Sequence, residues 1–150
     1  MEKRVNVHEK GQDAFKSLFM AGAYLKRSGI DTDLLELVFI KASQMNGCAY
    51  CIDMHYKDAR FRGETEQRLY GLITWRDTAY YTERERAALE WSEAVTNCNV
   101  PDEIYTTVKK EFSDEELIDL TIAVNTINSW NRLNIAFNVA PGAYQVGQFK

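Results

Sequence analysis

The spacing of apolar residues constrains the fold of this 150-residue chain more than any other feature. Between Gly11 and Leu25, and again between Leu117 and Ile127, apolar side chains recur at intervals of three and four residues, the period of an amphipathic helix. No segment has the strict alternation of a half-buried strand, and the chain contains only two prolines. The sequence therefore predicts an all-α fold. A length of 150 residues suits one hydrophobic core, so we expect a single domain over residues 1–150.

Residues that cap helices set the predicted boundaries. Thr82 with Glu85, and Ser113 with Glu116, have the spacing of a capping box, in which the two side chains bond backbone N–H groups at the start of a helix. Asn46 is predicted to cap the helix that follows it. The other predicted ends of helices lie at Ser28-Gly29, Asn46-Gly47, Gly63, Phe112 and Pro141-Gly142.

Composition and charge argue against several functional classes. The chain has 18 basic and 22 acidic residues, so it lacks the basic surplus that is typical of nucleic-acid-binding domains. The longest apolar stretch, around residues 34–40, is interrupted by Glu36 and is shorter than the roughly 18 residues of a membrane span. Residues 1–10 contain no apolar core of a signal peptide, and three cysteines do not suit a secreted disulfide scaffold. We expect a cytoplasmic protein that binds neither nucleic acid nor membrane.

One short motif carries chemistry. Cys48 and Cys51 form a C-x-x-C pair, and His55 follows four residues later. If Asn46 caps this helix, both cysteines lie in its first turn, where unpaired backbone N–H groups and the helix dipole stabilise a thiolate. Residues three and four apart are neighbours on a helix, so Cys51 is expected beside both Cys48 and His55. The motif predicts a thiolate that attacks a peroxide or a disulfide, with a second thiol that closes the cycle.

Other interpretations of these residues stay open. A C-x-x-C pair with a histidine could hold zinc, for which the chain offers only Cys98 and His8 as distant further ligands. The two cysteines could instead be buried and inert. A third alternative is a non-catalytic redox-sensing or partner-binding module whose disulfide changes the contacts of an oligomer. Tyr50 is expected to pack rather than react, and Cys98 receives no role.

A longer pattern surrounds this motif. Eleven residues separate Glu36 from Cys48, two separate Cys48 from Cys51, and three separate Cys51 from His55. Further matching segments are Lys57-Asp58-Ala59-Arg60, Thr82 to Leu89 and Trp130-Asn131-Arg132-Leu133. Together these residues resemble the small AhpD-like branch of the alkylhydroperoxidase AhpD and carboxymuconolactone decarboxylase superfamily. The resemblance covers most of the chain from Leu34 to Phe137.

This resemblance implies the family's all-helical fold, assembled into a homotrimer or homohexamer, and thiol-dependent reduction of hydroperoxides. Cys51 would be the peroxidatic nucleophile, Cys48 the resolving cysteine, and His55 with Glu36 the proton relay. A dithiol or a lipoyl-bearing protein would be the reductant, and we expect no bound cofactor or metal. Tyr50 stands where the founding enzymes have a relay histidine, so we expect either a shorter relay here or one in which water replaces a member. The decarboxylase branch lacks the cysteine pair, which makes lactone decarboxylation a weaker alternative.

The last predicted helix carries a polar stripe. Asn125, Asn128, Asn131 and Asn134 recur at every third residue. The simpler interpretation is a face that is solvated or hydrogen-bonded within the chain. The alternative is a polar seam at a subunit interface.

Overall fold

In the computed structural model, which describes residues 4–149, every regular element is a helix. In chain order they are α1 (Val7–Lys10), α2 (Gln12–Leu25), α3 (Thr32–Asn46), α4 (Ala49–Phe61), α5 (Glu66–Gly71), a 3₁₀ helix (Leu72–Asp77), α6 (Glu83–Thr96), α7 (Asp102–Val108) and α8 (Asp114–Ala136). The all-α prediction is confirmed. No helix in this part of the chain combines the length and apolar character that crossing a lipid bilayer requires.

Helix α3 is the central element and packs against α4, α6 and α8. It can do so because apolar residues occupy more than one of its faces, and Val38 and Ile40 are both fully buried. One face joins α6 and α8 in a core that includes Leu34, Leu35, Val38, Ala88, Leu120 and Val124. Another joins α4, α5 and the 3₁₀ helix through Leu37, Ile40, Ala59, Leu69 and Leu72. Residues at the end of α3 are therefore held from several sides.

The predicted helix starts are confirmed where two side chains cap together. Thr82 with Glu85, and Ser113 with Glu116, each form the full capping box at the start of α6 and α8. Two predicted ends are wrong. Helix α7 ends at Val108 rather than near Phe112.

The last helix also ends earlier than the predicted Pro141-Gly142. Asn138 takes a left-handed conformation with φ of 52°. The N–H of Val139 then donates to the Asn134 carbonyl at 3.0 Å, and the N–H of Asn138 donates to Ile135 at 3.1 Å. This pair of bonds is a Schellman motif, which satisfies the last carbonyls and ends α8 before proline is reached.

The corner between α3 and α4 corrects the predicted cap. Asn46 is the last residue of α3, and Cys48 is the residue that caps α4. Between them, Gly47 has φ of 70°. The Gly47 N–H donates to Gln44 at 3.3 Å and the Cys48 N–H donates to Ser43 at 3.0 Å, so α3 also ends in a Schellman motif. Asn46 cannot cap α4 because the chain reverses in one residue after it.

Replacing glycine by alanine should have opposite effects on stability at Gly47, which has a positive φ, and at Gly22, which lies within α2. Gly47→Ala should destabilise the fold by about 1–2 kcal/mol, because a Cβ is strained at positive φ. Gly22→Ala in α2 should stabilise it by about 0.5–1 kcal/mol, since an added Cβ there meets no heavy atom within 4 Å outside the local helix backbone. Urea unfolding followed by circular dichroism measures both. Equal stability of the two variants would contradict this account of the corner.

Candidate redox site

Cys48 and Cys51 are joined by a disulfide at the N-terminus of α4, with their Cα atoms 5.4 Å apart. Each cysteine is only 1% exposed. The Sγ of Cys48 occupies the place of a capping oxygen and accepts a hydrogen bond from the Cys51 N–H at 3.3 Å. Cys48 is therefore the cap rather than a first-turn residue, whereas Cys51 lies in the first turn as the sequence predicted. The helix dipole favours a thiolate at either position.

The disulfide lies in an apolar pocket between three helices. Ala42 of α3, Tyr50 of α4 and Ile127 of α8 pack around it. Burial and the charge of Asp53 raise the pKa of Tyr50, so its phenol stays protonated near neutral pH. The expectation that Tyr50 packs rather than accepts protons is therefore supported. In such surroundings each polar contact to a sulfur is stronger than it would be in water.

His55 and Glu36 meet across two helices. His55 lies one turn after Cys51 on α4, and its Nδ1 lies 2.8 Å from Oε2 of Glu36 on α3. Both side chains are largely buried. Since Glu36 engages Nδ1, it orients the imidazole and leaves Nε2 to exchange a proton. The structure thus brings Glu36 to His55, a pairing that spacing along one helix could not reveal.

Two further residues join this pair. One oxygen of Asp58 lies within 4.8 Å of the liganding atoms of Glu36 and His55. The Tyr144 O–H donates to both oxygens of Asp58 at 2.9 Å. Burial, this hydrogen bond and the charges of Asp58 and Glu36 raise the pKa of Tyr144 to about 12, so the hydroxyl remains a donor. Sequence reasoning missed Tyr144 because it lies in a segment without periodicity.

The segment that contains Tyr144, residues 137–149, is fastened along α4. Asp53 accepts the N–H of Gly142 at 3.0 Å and the Lys57 ammonium at 2.8 Å. Lys57 also donates to the carbonyls of Gly142 and Tyr144 at 3.2 Å. Burial raises the pKa of Asp53, but Lys57 and the Gly142 N–H outweigh it, so the net shift is downward. The C-terminal segment is therefore held by an ionised carboxylate across the neutral range.

Most of the polar stripe of α8 forms hydrogen bonds within the chain. Asn128, Asn131 and Asn134 are buried, whereas Asn125 is exposed. We call the three buried residues the asparagine ladder. The interpretation as an internally hydrogen-bonded face is confirmed for them, and they offer no seam to a neighbouring subunit.

The asparagine ladder holds the corner between α3 and α4. The Asn46 amide donates to Oδ1 of Asn128 at 2.8 Å and to Oδ1 of Asn131 at 2.9 Å. Asn131 in turn donates to Oγ of Ser43 at 3.0 Å. Asn134 donates from Nδ2 to Sγ of Cys51 at 3.3 Å. The side chain that was predicted to cap α4 therefore bonds α8 instead.

The remaining candidate metal ligands do not gather at the cysteines. Among residues 4–149, the cluster of His, Cys, Asp and Glu side chains close enough to share a metal ion consists of Glu36, His55 and Asp58. Cys98 is an exposed free thiol. The side chain of His8 lies outside the described part of the structure. The zinc alternative thus finds no cysteine ligand set among the described residues.

The bond between Tyr144 and Asp58 predicts a measurable contribution to stability. Tyr144→Phe keeps the ring but removes a donor to a half-buried carboxylate, which should cost about 1.5–3 kcal/mol in the free energy of unfolding. Tyr70→Phe is the matched control, because its hydroxyl also donates to a carboxylate, that of Glu66, but on the exposed surface. Urea titration at neutral pH should give Tyr144→Phe a clearly lower free energy of unfolding than Tyr70→Phe. The reverse order would contradict the role of this contact.

Comparison with known proteins places this chain in a family. The sequence model of the carboxymuconolactone decarboxylase family matches residues 10–94. The uncharacterized protein YdfG of Bacillus subtilis (strain 168) is 45% identical over 139 residues, which cover 91% of this chain and 95% of that protein. The uncharacterized protein YnjA of Escherichia coli (strain K12) is 30% identical over 125 residues, which cover 82% of this chain and 69% of that protein.

Solved structures share the fold. A protein of unknown function from Agrobacterium tumefaciens, whose description reads "putative antioxidant defence protein AhpD", superposes with a TM-score of 0.90 at 36% identity. That match covers 95% of this chain and 100% of the other. The debrominase Bmp8 superposes with a TM-score of 0.78 at 21% identity, covering 90% of this chain and 74% of the other, which shows a common fold alone.

Proposed function

The chain belongs to the carboxymuconolactone decarboxylase family, and from that premise we propose that it is a thiol-dependent peroxidase of the AhpD-like branch. One observation carries the proposal. The Cys48–Cys51 pair lies at the N-terminus of α4, in the same buried region as a hydrogen-bonded His55–Glu36 pair. The neighbour from Agrobacterium tumefaciens, whose name refers to antioxidant defence, agrees with this proposal.

The reaction begins with the reduced pair. The Cys51 thiolate attacks the terminal oxygen of a hydroperoxide, so that an S–O bond forms and the O–O bond breaks. The leaving alkoxide takes a proton from His55 and departs as the alcohol. Glu36 holds the imidazole in place through its contact with Nδ1. Cys51 is left as a sulfenic acid.

The second step restores a stable oxidised form. The sulfur of Cys48 attacks the sulfur of Cys51, the S–S bond forms, and the hydroxyl leaves as water after it gains a proton. An external dithiol, free or lipoyl-bound, then reduces the disulfide and returns both thiols. The sum is hydroperoxide plus dithiol giving alcohol, water and the oxidised dithiol. The position of Cys48 as helix cap supports its part, since the same N–H group that bonds its sulfur stabilises its thiolate.

Single cysteine variants test these roles. Cys51→Ser should abolish peroxide consumption, because Cys48, the other buried thiol, lies two turns from His55, whereas Cys51 lies one turn from it. Without an added dithiol, Cys48→Ser should consume about one peroxide per chain and then stop at the sulfenic acid. Stopped-flow measurement with an alkyl hydroperoxide follows both variants, with dihydrolipoamide for Cys51→Ser and without it for Cys48→Ser. Cys98→Ser is the matched control and should keep full activity, since Cys98 is exposed and distant in sequence from the pair.

Unchanged activity in Cys51→Ser would contradict the assignment of the nucleophile. If the wild-type protein forms the disulfide but does not turn over, the non-catalytic redox-sensing module is the correct alternative. In that case the size of the oligomer should differ between the oxidised and reduced forms.

We also propose that the chain assembles into a homotrimer or homohexamer. Several large apolar side chains are exposed, among them Met20, Phe61, Ile73 and Ile118, at 64–73% of their surface. Exposed apolar residues of this size are common where subunits meet, which supports the proposal. Light scattering at micromolar concentration should give a mass of three or six chains of 17.3 kDa. A stable monomer would contradict it.

A further inference from the structure

The two sulfurs of the redox pair have hydrogen-bond donors of different origin. Cys48 receives the backbone N–H of Cys51, as any helix cap would. Cys51 receives Nδ2 of Asn134, a side chain from α8 that is itself only 5% exposed. When the disulfide is reduced, both sulfurs compete for one negative charge. The helix N-terminus by itself favours Cys48.

We propose that Asn134 is a catalytic residue that stabilises the Cys51 thiolate and so selects Cys51, rather than Cys48, as the attacking sulfur. The inference rests on the proposed function for its chemistry and goes beyond it in assigning a role to a residue of α8. Asn134 touches the reacting sulfur directly. A hydrogen bond to the charged form of a group favours that form, and more strongly in apolar surroundings.

The other groups near Cys51 do not replace this donor. His55 is paired with Glu36, so a protonated imidazole shares its charge with that carboxylate. Asn134 is uncharged and brings its donor into the pocket without a counter-charge to bury. It thus favours the thiolate of one sulfur over that of the other.

The backbone of Asn134 is fixed in place. Its carbonyl accepts the Val139 N–H that ends α8, so the residue lies in the last turn before the chain leaves the helix. One turn earlier, Asn131 is fully buried and bonds Ser43 and Asn46. The amide is therefore held opposite Cys51 before any substrate arrives, and its donation costs no reorganisation during the reaction.

The gain in the fraction of Cys51 that is thiolate exceeds the loss in nucleophilicity of each thiolate. A donor that makes the thiol about tenfold more ionised near neutral pH lowers the nucleophilicity of the thiolate by only about threefold. The contact is present in the disulfide form, where Nδ2 bonds Sγ of Cys51. The amide is therefore already beside this sulfur when reduction of the disulfide returns the charge.

Competitive alkylation tests the inference without turnover. In a Cys98→Ser background, the reduced protein is treated briefly with iodoacetamide at pH 6–7, and mass spectrometry gives the ratio of label on Cys51 to label on Cys48. We expect a ratio above one in this parent. Asn134→Ala should lower it by about threefold, the tenfold loss of thiolate being partly offset by the higher nucleophilicity of the thiolate that remains. Asn125→Ala is the matched control, since Asn125 lies on the same helix but is exposed, and it should leave the ratio unchanged.

A second variant guards against loss of structure. Asn134→Asp keeps the shape of the side chain but puts a carboxylate against the sulfur, so it should lower the ratio further than alanine does. Circular dichroism and the midpoint of thermal unfolding identify the variants that remain folded. If either variant remains folded and has the same ratio of label on Cys51 to label on Cys48 as the Cys98→Ser parent, the inference is overturned. If instead the wild-type protein consumes no peroxide while the ratio still follows Asn134, the proposed function fails and the selection of the sulfur stands.

Discussion

The hydrogen bonds from the asparagine ladder to the corner between α3 and α4 are the constraint on which the site depends. They join the end of α3, the start of α4 and the last turns of α8 at one buried point. Each buried hydrogen bond of this kind contributes only about 1 kcal/mol, but leaving any of its partners unpaired costs more. The three helices are therefore fixed in one register, and the redox pair stands where that register places it.

The same corner makes a cysteine into a helix cap. A reversal in one residue at Gly47 leaves Cys48 as both the end of one motif and the start of the next helix. The sulfur therefore receives a backbone donor that a serine or an aspartate would otherwise take. Placing the second cysteine three residues later turns it toward α8 and Asn134. Local turn geometry and long-range packing thus act on different sulfurs of one pair.

A second set of contacts supports the Glu36–His55 pair from the opposite side. The C-terminal segment crosses α4 and brings the Tyr144 hydroxyl to Asp58, which neighbours the Glu36–His55 pair. Asp53 and Lys57, which lie on α4 itself, hold the backbone of that segment. The Glu36–His55 pair is therefore buried between α3, α4 and a segment from the end of the chain.

The sequence predicted the helices better than it predicted the contacts between them. Apolar periodicity and capping boxes were sufficient for the helices, because both are signals between near neighbours in the chain. The Cys48, Cys51 and His55 motif was visible for the same reason. Asn46 was misplaced because a cap and the final residue of the preceding helix use the same residue types. Glu36 was identified only through the family resemblance, because a contact between two helices produces no regular spacing in the sequence.

Asn134 and Tyr144 show which contacts the sequence patterns could not predict. The stripe on α8 identified Asn134 as polar and periodic, but only the packing of α8 on α4 shows that its partner is a sulfur. Tyr144 lies among residues without a repeating pattern, so its approach to Asp58 depends on the whole path of the C-terminal segment. In both cases the missing information was tertiary. Long-range hydrogen bonds form only after the helices have packed.

Thiol counting after a single addition of peroxide tests the central claim most directly. The reduced protein carries three cysteines, and Cys98 serves as an exposed internal reference. One equivalent of hydroperoxide should remove two thiols per chain, as the Cys48–Cys51 disulfide, and should do so much faster than it oxidises Cys98. Loss of the pair at no more than the rate of Cys98, or oxidation that leaves Cys48 and Cys51 unlinked, would contradict the account.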